Sequence, residues 1–256
     1  MVNFYKGQYK EIMKLKILFL LGLVLGSFFA AGTTVGEEIF GHPVAVVELF
    51  TSQGCSSCPP ADDFLAELDQ RPDVLALAYH VDYWDYIGWK DTFGDSAYSD
   101  LQRAYAQSWG KSRIFTPQLI VNGTADFVGS QRNAIEGGIA GAQLSVVVDL
   151  EYEEGVLDVA IEGVSGAHQS VVYLVTFRNN VDVNIERGEN QGKLISYAQV
   201  VTSRQIIGMW DAENGSHIKL PVGELFNDKS DGVAIIVQEQ SNGLPGPILG
   251  AALFQM

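Results

Sequence analysis

The sequence predicts an α/β domain over residues 41–143, a mixed sheet flanked by helices, followed by a mostly β C-terminal module over residues 144–256. Three observations carry this. Strand-like and helix-like stretches alternate from Pro43 to about Gly141. The Asn122-Gly123 pair between two short apolar runs marks a tight hairpin. After about Leu144, short alternating stretches separated by Gly, Asn and Asp replace the helical pattern.

Each element follows in order. Val44–Phe50 is apolar enough for a buried strand, and Thr51 to Gly54 read as the turn after it. Pro59 to Asp69 reads as a helix, with proline in its first turn and early acidic residues; Ser56 or Ser57 is placed to cap it. Arg71-Pro72-Asp73 turns the chain into a second apolar strand, Val74–Val81. An aromatic-rich insertion, Asp82–Asp95, follows. Leu101, Ala104, Tyr105, Ser108 and Trp109 recur near a period of 3.6, which predicts a helix from Ser96 to Trp109 ended by Gly110. Gln118–Val121 and Ala125–Val128 are the hairpin strands, and Ser130–Ile139 forms a last helix. A parallel start followed by an antiparallel hairpin, with a C-x-x-C after the first strand, is the thioredoxin arrangement. Beyond it, Ser145–Leu150, Val156–Ile161, Ser170–Phe177, Lys193–Val201, His217–Leu220 and Val233–Gln238 are strand candidates for a sandwich or an added sheet packed on the first module.

Residues 1–32 stand outside this pattern. Lys14 and Lys16 precede the apolar run Ile17 to Ala31, and Ala30-Ala31-Gly32 supplies small residues for cleavage, so the segment reads as a secretory signal. The run is short for a membrane span of about 20 residues, which makes an uncleaved anchor the weaker alternative. The formal net charge is −15, and loss of four lysines and one glutamate with the signal makes the remainder more acidic. Such a balance opposes non-specific binding to nucleic acid or to an anionic membrane. Export also permits a disulfide to persist.

The chemistry centres on Cys55 and Cys58, the two cysteines of the chain. A C-x-x-C at a strand–helix junction sets its first sulfur over unpaired helix N–H groups, which together with the helix dipole favour the thiolate. Cys55 would attack a disulfide and Cys58, the less exposed, would resolve the mixed disulfide; run backwards, the pair oxidises a dithiol. Thr116-Pro117 enters the strand before Asn122-Gly123, where a cis-proline sits beside the disulfide in thioredoxin folds; a trans proline opening an edge strand is the alternative. His80, at the end of the second strand, is placed to assist proton transfer at Cys58, to ligate a metal with the thiolates, or simply to be held by a hydrogen bond. Asp82 is either a proton acceptor near the buried sulfur or a cap for the insertion.

Three function classes therefore stand. The leading one is an exported protein that exchanges or senses thiols and disulfides on a protein or small-molecule partner, with no cofactor beyond its own cysteine pair. The second is a periplasmic copper(I) module with Cys55, Cys58 and His80 as ligands. The third is a non-catalytic interaction protein in which the bridge is structural, although closing so short a loop contributes only about 2 kcal/mol. The aromatic insertion, with Tyr83, Trp84, Tyr86, Trp89 and Phe93, is either a satellite core over the sheet edge or a lip for a substrate.

Longer stretches carry a family resemblance. Glu48 to Asp62, His80 to Asp91, Thr116-Pro117-Gln118, Ile185 to Gly192 and Gly246 to Ala252 together resemble secreted bacterial thioredoxin-like proteins of domain-of-unknown-function family 1223. The resemblance implies a thioredoxin-like fold and a periplasmic or secreted location in a bacterium, and it brings no established activity. Relative to ordinary thioredoxins, Gly54 stands where a tryptophan usually precedes the first cysteine, and Ser56-Ser57 stands where Gly-Pro is common.

Overall fold

Strand β2 (Ala45–Thr51) is buried at all seven positions, as an apolar run with cover on both faces must be. It lies at the heart of a nine-stranded mixed sheet in this computed structural model, which describes residues 38–255 except 167, 169 and 227–229. The signal predicted over residues 1–32 lies outside the described residues.

Strand β3 (Val74–His80) pairs with β2 in parallel, from Ala45 opposite Val74 to Thr51 opposite His80. Helix α1 (Pro59–Asp69) makes the crossover and buries Ala61, Phe64, Leu65 and Leu68 against Val47, Leu49 and Ala76. Helix α2 (Ser96–Ser108) covers the opposite face, setting Tyr98 and Tyr105 on Phe50, Leu77 and Tyr79. Its N-cap is Asp95, whose carboxylate accepts from the Ala97 N–H at 2.8 Å. Strands β4 (Gln118–Val121) and β5 (Ala125–Val128) form the expected hairpin, with Asn122 and Gly123 both at positive φ, 47° and 66°. Helix α3 (Arg132–Ala140) closes this half.

The β-rich half joins the same sheet. Strands β8 (Ser170–Asn184) and β9 (Leu194–Trp210) form a long antiparallel hairpin, and β9 meets β3 in parallel at Ala78 and Val200. Strand β11 (Gly232–Ser241) adds to β8, then β12 (Leu244–Gln255), then β1 (Glu38–Gly41) at the edge. A second, three-stranded sheet of β6 (Val148–Glu153), β7 (Val156–Ile161) and β10 (Ser216–Pro221) packs Val148, Leu157 and Val159 on Val172, Val233 and Phe254. The short helix α4 (Val222–Leu225) follows β10. The two sequence alternatives thus coexist: strands are added to the first sheet, and a small sheet is laid over them.

Glu48 is buried in the middle of β2, accepting from the Tyr105 hydroxyl at 2.5 Å. Burial raises its carboxyl pKa, against the opposing charge of Arg204. Arg204 in turn donates to Gln238 at 2.6 Å and lies over the Tyr173 ring. Gly232 tests the packing of the added strands. A Cβ there would sit 2.2 Å from Cζ of the fully buried Phe177 on the paired strand. Gly232→Ala is expected to destabilise the fold by about 1–3 kcal/mol, the cost of overpacking a core, read as a lower urea midpoint with an unchanged m-value.

Candidate functional site

The chain leaves β2 at Thr51 and reaches α1 through two consecutive turns, in which Cys55 N–H donates to Ser52 O at 3.1 Å and Cys58 N–H to Cys55 O at 3.2 Å. These turns bring the Cys55 and Cys58 Cα atoms to 5.4 Å, and the two sulfurs form a disulfide. The helix start differs from expectation in two respects. Cys58 itself is the N-cap and no side chain caps the helix; Ser56 and Ser57 are exposed, and the Ser57 hydroxyl lies 3.5 Å from Cys55 Sγ. Pro59 and Pro60 have no N–H to offer, and the N–H groups of Ala61 and Asp62 both go to Cys58 O. The unpaired helix N–H groups expected over the sulfur are therefore absent; the dipole alone remains.

Both cysteines are buried, Cys55 at 1 % and Cys58 at 0 % exposure. Two segments account for this. The aromatic insertion supplies Trp84, whose indole N–H donates to the Thr116 hydroxyl at 2.7 Å. A Cβ on Gly54 would lie 3.1 Å from Cβ of that tryptophan, so the residue missing a side chain before Cys55 is the one that Trp84 covers. Trp89 donates to Gln53 Oε1 at 2.8 Å. The second cover is the tip of the β8–β9 hairpin, where the buried Asn190 amide donates to Gln53 O at 2.9 Å and Cys55 O at 3.0 Å.

At the ends of β2 and β3, where the cysteine turn begins, lies a buried polar layer built by the register of the two strands. Thr51 and His80 are paired across these strands on the face that α1 covers. The Thr51 hydroxyl donates to Asp62 Oδ1 at 2.7 Å, and His80 Nδ1 meets Asp91 Oδ2 at 2.9 Å. Asp91 also accepts from the N–H groups of Gln53 and Phe93, at 2.7 and 2.9 Å. The His80 ring sits edge-on to Phe93 and Tyr197, with centroids 5.4 and 4.8 Å away. Three buried atoms in this layer have no hydrogen-bond partner: Asp62 Oδ2, His80 Nε2 and the Tyr197 hydroxyl.

Electrostatics follow from the geometry. Burial pushes the Asp62 carboxyl up to about 7, against the Thr51 hydroxyl and the charge of His80. Burial also opposes a charged His80, but Asp91 outweighs it and raises the imidazole above its ordinary value. Burial would likewise raise Asp91, yet His80 and the two N–H donors hold it below the usual carboxylate range.

Of the residues singled out in the sequence, Cys55 and Cys58 are joined, and His80 lies in the polar layer at the ends of β2 and β3, bonded to Asp91. The Thr116–Pro117 peptide is cis. Pro117 flanks the first turn of α1, since a Cβ on Gly129 would touch both Pro117 Cβ at 3.0 Å and Ala61 Cβ at 2.9 Å. Asp82 ties the insertion to α2, its carboxylate accepting from Ser99 Oγ at 2.6 Å, which fits the reading of it as a cap for the insertion. The aromatic insertion is cover for this site and core at once: of its five aromatic residues only Tyr86 is largely exposed, at 81 %. Asp62, Asp91 and Asn190 escaped the sequence reading. For Asp62, a carboxylate four residues after the second cysteine was the available signal, since positions i and i+4 share a helix face. Among the described residues, no group of three or more His, Cys, Asp and Glu converges as metal ligands. Nor is any helix there long and apolar enough to cross a membrane.

The fold and site define a mixed α/β protein with a buried disulfide closing a C-x-x-C turn. The chain belongs to the family described as protein of unknown function DUF1223, whose model matches residues 46–238. It is similar to a structural-genomics crystal structure of a protein from Agrobacterium tumefaciens, at 33 % identity and a TM-score of 0.74, over 84 % of this chain and 95 % of that one. It shares its fold more distantly with HBP35 of Porphyromonas gingivalis, at 16 % identity and a TM-score of 0.53, over 84 % and 75 % of the two chains. No curated protein matches it.

Proposed function

We propose that this is an exported thioredoxin-like protein that exchanges thiols and disulfides through Cys55 and Cys58. The observation that carries the reading is a buried disulfide at a strand–helix junction, with the buried Asp62 one helical turn after Cys58 and one of its carboxyl oxygens unpaired. A purely structural bridge has no need of such a group, and a buried unsatisfied carboxylate costs stability. The placement of Pro117 beside the first turn of α1 supports the same reading.

In this reaction the Cys55 thiolate attacks one sulfur of a substrate disulfide, forming Cys55–S–S–R and releasing the other sulfur as a thiolate. Asp62 takes the proton of the Cys58 thiol. The Cys58 thiolate then attacks Cys55 sulfur, closing the intramolecular disulfide and expelling R–S⁻. Oxidation of a dithiol runs the same steps in reverse. Asp62 suits the role: it follows Cys58 by one helical turn, and a helical side chain leans back over the preceding turn. A carboxyl with a pKa of about 7 exchanges protons readily near neutral pH. The expected result is insulin or model-peptide disulfide exchange by the wild type that is lost in Cys55→Ser. Equal exchange by both proteins contradicts the reading.

Asp62 also predicts a pH dependence of stability. Its ordinary value is 3.8 and its folded value about 7, so between these pH values the folded state holds a proton that the unfolded state has released. Its contribution is therefore fully present below pH 4 and lost as pH rises to 7, by about 4 kcal/mol from the size of the shift. Asp62→Asn is expected to be more stable than wild type above pH 7, with the gap closing toward pH 4. Urea titrations of both proteins at pH 4, 6 and 8 check this; a gap independent of pH contradicts it.

A further inference from the structure

We infer that the β8–β9 hairpin tip, residues 185–193, is a gate over Cys55 and that Asn190 is its latch. The inference rests on the thiol–disulfide reading for its purpose, but its evidence is independent. Asn190 is fully buried although it sits at the far end of an exposed hairpin, and its amide spends its hydrogens on two backbone carbonyls of the cysteine turn, Gln53 O and Cys55 O. Its own oxygen accepts from Lys193 Nζ at 2.8 Å, which fixes the amide's orientation within the tip.

The rest of the tip is held lightly. Glu186, Arg187, Glu189, Gln191 and Lys193 are exposed, and the turn is closed by its own backbone bonds: Gly192 N–H to Ile185 O, and Gln191 N–H to Gly188 O. Gly188, at φ 80°, rests on Trp89 of the insertion, where an added Cβ would approach Trp89 Cβ at 3.2 Å. Ile185, fully buried against Ile195 and Tyr197 in a cluster that Trp89 joins, anchors the base of the tip. Such a segment, with a fixed root and a few contacts at its end, opens at a small fraction of the global unfolding free energy. With Cys55 at 1 % exposure, a thiol has no line of attack until it does. Asn190 is a positioning residue in this scheme: it touches neither sulfur and acts by holding the turn closed.

The test is the rate at which dithiothreitol reduces the Cys55–Cys58 disulfide in the native full-length protein, followed by alkylation and mass. Asn190→Ala removes two hydrogen bonds to the turn and is expected to raise this rate about tenfold or more. Rates in strong denaturant should be equal, because the gate exists only in the fold. An unchanged native rate in Asn190→Ala overturns the gate. Should that variant fail to fold, Gly188→Ala, which pushes the tip off Trp89 while leaving Asn190 in place, is expected to accelerate reduction as well; an unchanged rate there overturns the proposal equally. Faster dithiothreitol reduction in a protein that turns over no disulfide substrate would keep the gate and reject the exchange function, so the two readings fail separately.

Discussion

Cys58→Ser is expected to accumulate a covalent mixed disulfide through Cys55, whereas Cys55→Ser captures nothing. The asymmetry follows from the order of the two sulfurs. Cys55 lies on the turn, next to the exposed Ser56, with Trp84 packed on Gly54 and Asn190 of the hairpin tip bonded to the Cys55 carbonyl. Cys58 is the N-cap of α1, and Asp62 follows it by one turn on the same helix. In the wild type, the second thiol is held next to the mixed disulfide, and such intramolecular placement is worth an effective concentration far beyond any thiol in solution. Removing it slows release on the order of a thousandfold or more. The trapped species is read by non-reducing electrophoresis and mass after incubating the variant with extracts of oxidised exported proteins. Capture through both single variants, or through neither, contradicts the assignment of roles.

Asp91→Ala is the substitution with the largest expected effect on the fold. Asp91 accepts from His80 Nδ1 and from the backbone N–H groups of Gln53 and Phe93. One carboxylate thus joins the strand end, the cysteine turn and the aromatic insertion. Removing it leaves a buried imidazole without its partner and two buried N–H groups unpaired. Deleting one member of a buried ion pair costs about 3–5 kcal/mol, which lowers the melting temperature of a domain this size by about 10 °C or more. The stabilisation also has a defined pH window. Asp91 titrates below its ordinary 3.8, so what it gives is present above pH 4 and lost as pH falls through its folded value. His80, raised above 6.5, contributes fully below that value and progressively less as pH climbs through its folded value. His80→Ala in the Asp91→Ala background should cost much less than His80→Ala alone, because the partner is already gone. Calorimetry of the four proteins at pH 6 measures it, and additive effects contradict the pair.

The parts legible in the sequence are those where one local rule dominates. The runs from Val44 to Phe50 and from Val74 to Val81 have no competing reading, and both are central strands. Asn122-Gly123 demanded positive φ and obtained it. Other elements were hidden for physical reasons. Strand β12 carries Pro245, Gly246, Pro247 and Gly250, which read as turn residues; the bulges that shift its register against β11 accommodate them, and Gly250 is needed where a Cβ would meet Val146 O at 2.5 Å. The apolar run Ser170–Phe177 marks only the inner half of β8, because the outer half leaves the core and alternates between exposed and half-buried positions up to Asn184.

The same division holds at the site. Cysteine spacing and Thr116-Pro117 are sequence-local signals, and both survive in place. Asp62 and Asp91 look like ordinary acidic residues in a chain that has 31 Asp and Glu. Their burial is a tertiary fact: Asp62 lies on the buried face of α1, and Asp91 is brought by the insertion onto His80 and the Gln53 N–H. Asn190 lies 135 residues from the carbonyl of Cys55 that it caps, a pairing that only the long β8–β9 hairpin creates.

The most direct test of the central claim is equilibration of the native protein in glutathione and dithiothreitol redox buffers, with the Cys55 and Cys58 thiols counted by alkylation. A redox-active pair should interconvert reversibly, with a midpoint between about −120 and −270 mV, the span of known exchange catalysts. A disulfide that stays closed to potentials below about −300 mV is a structural brace, and that result would contradict the account.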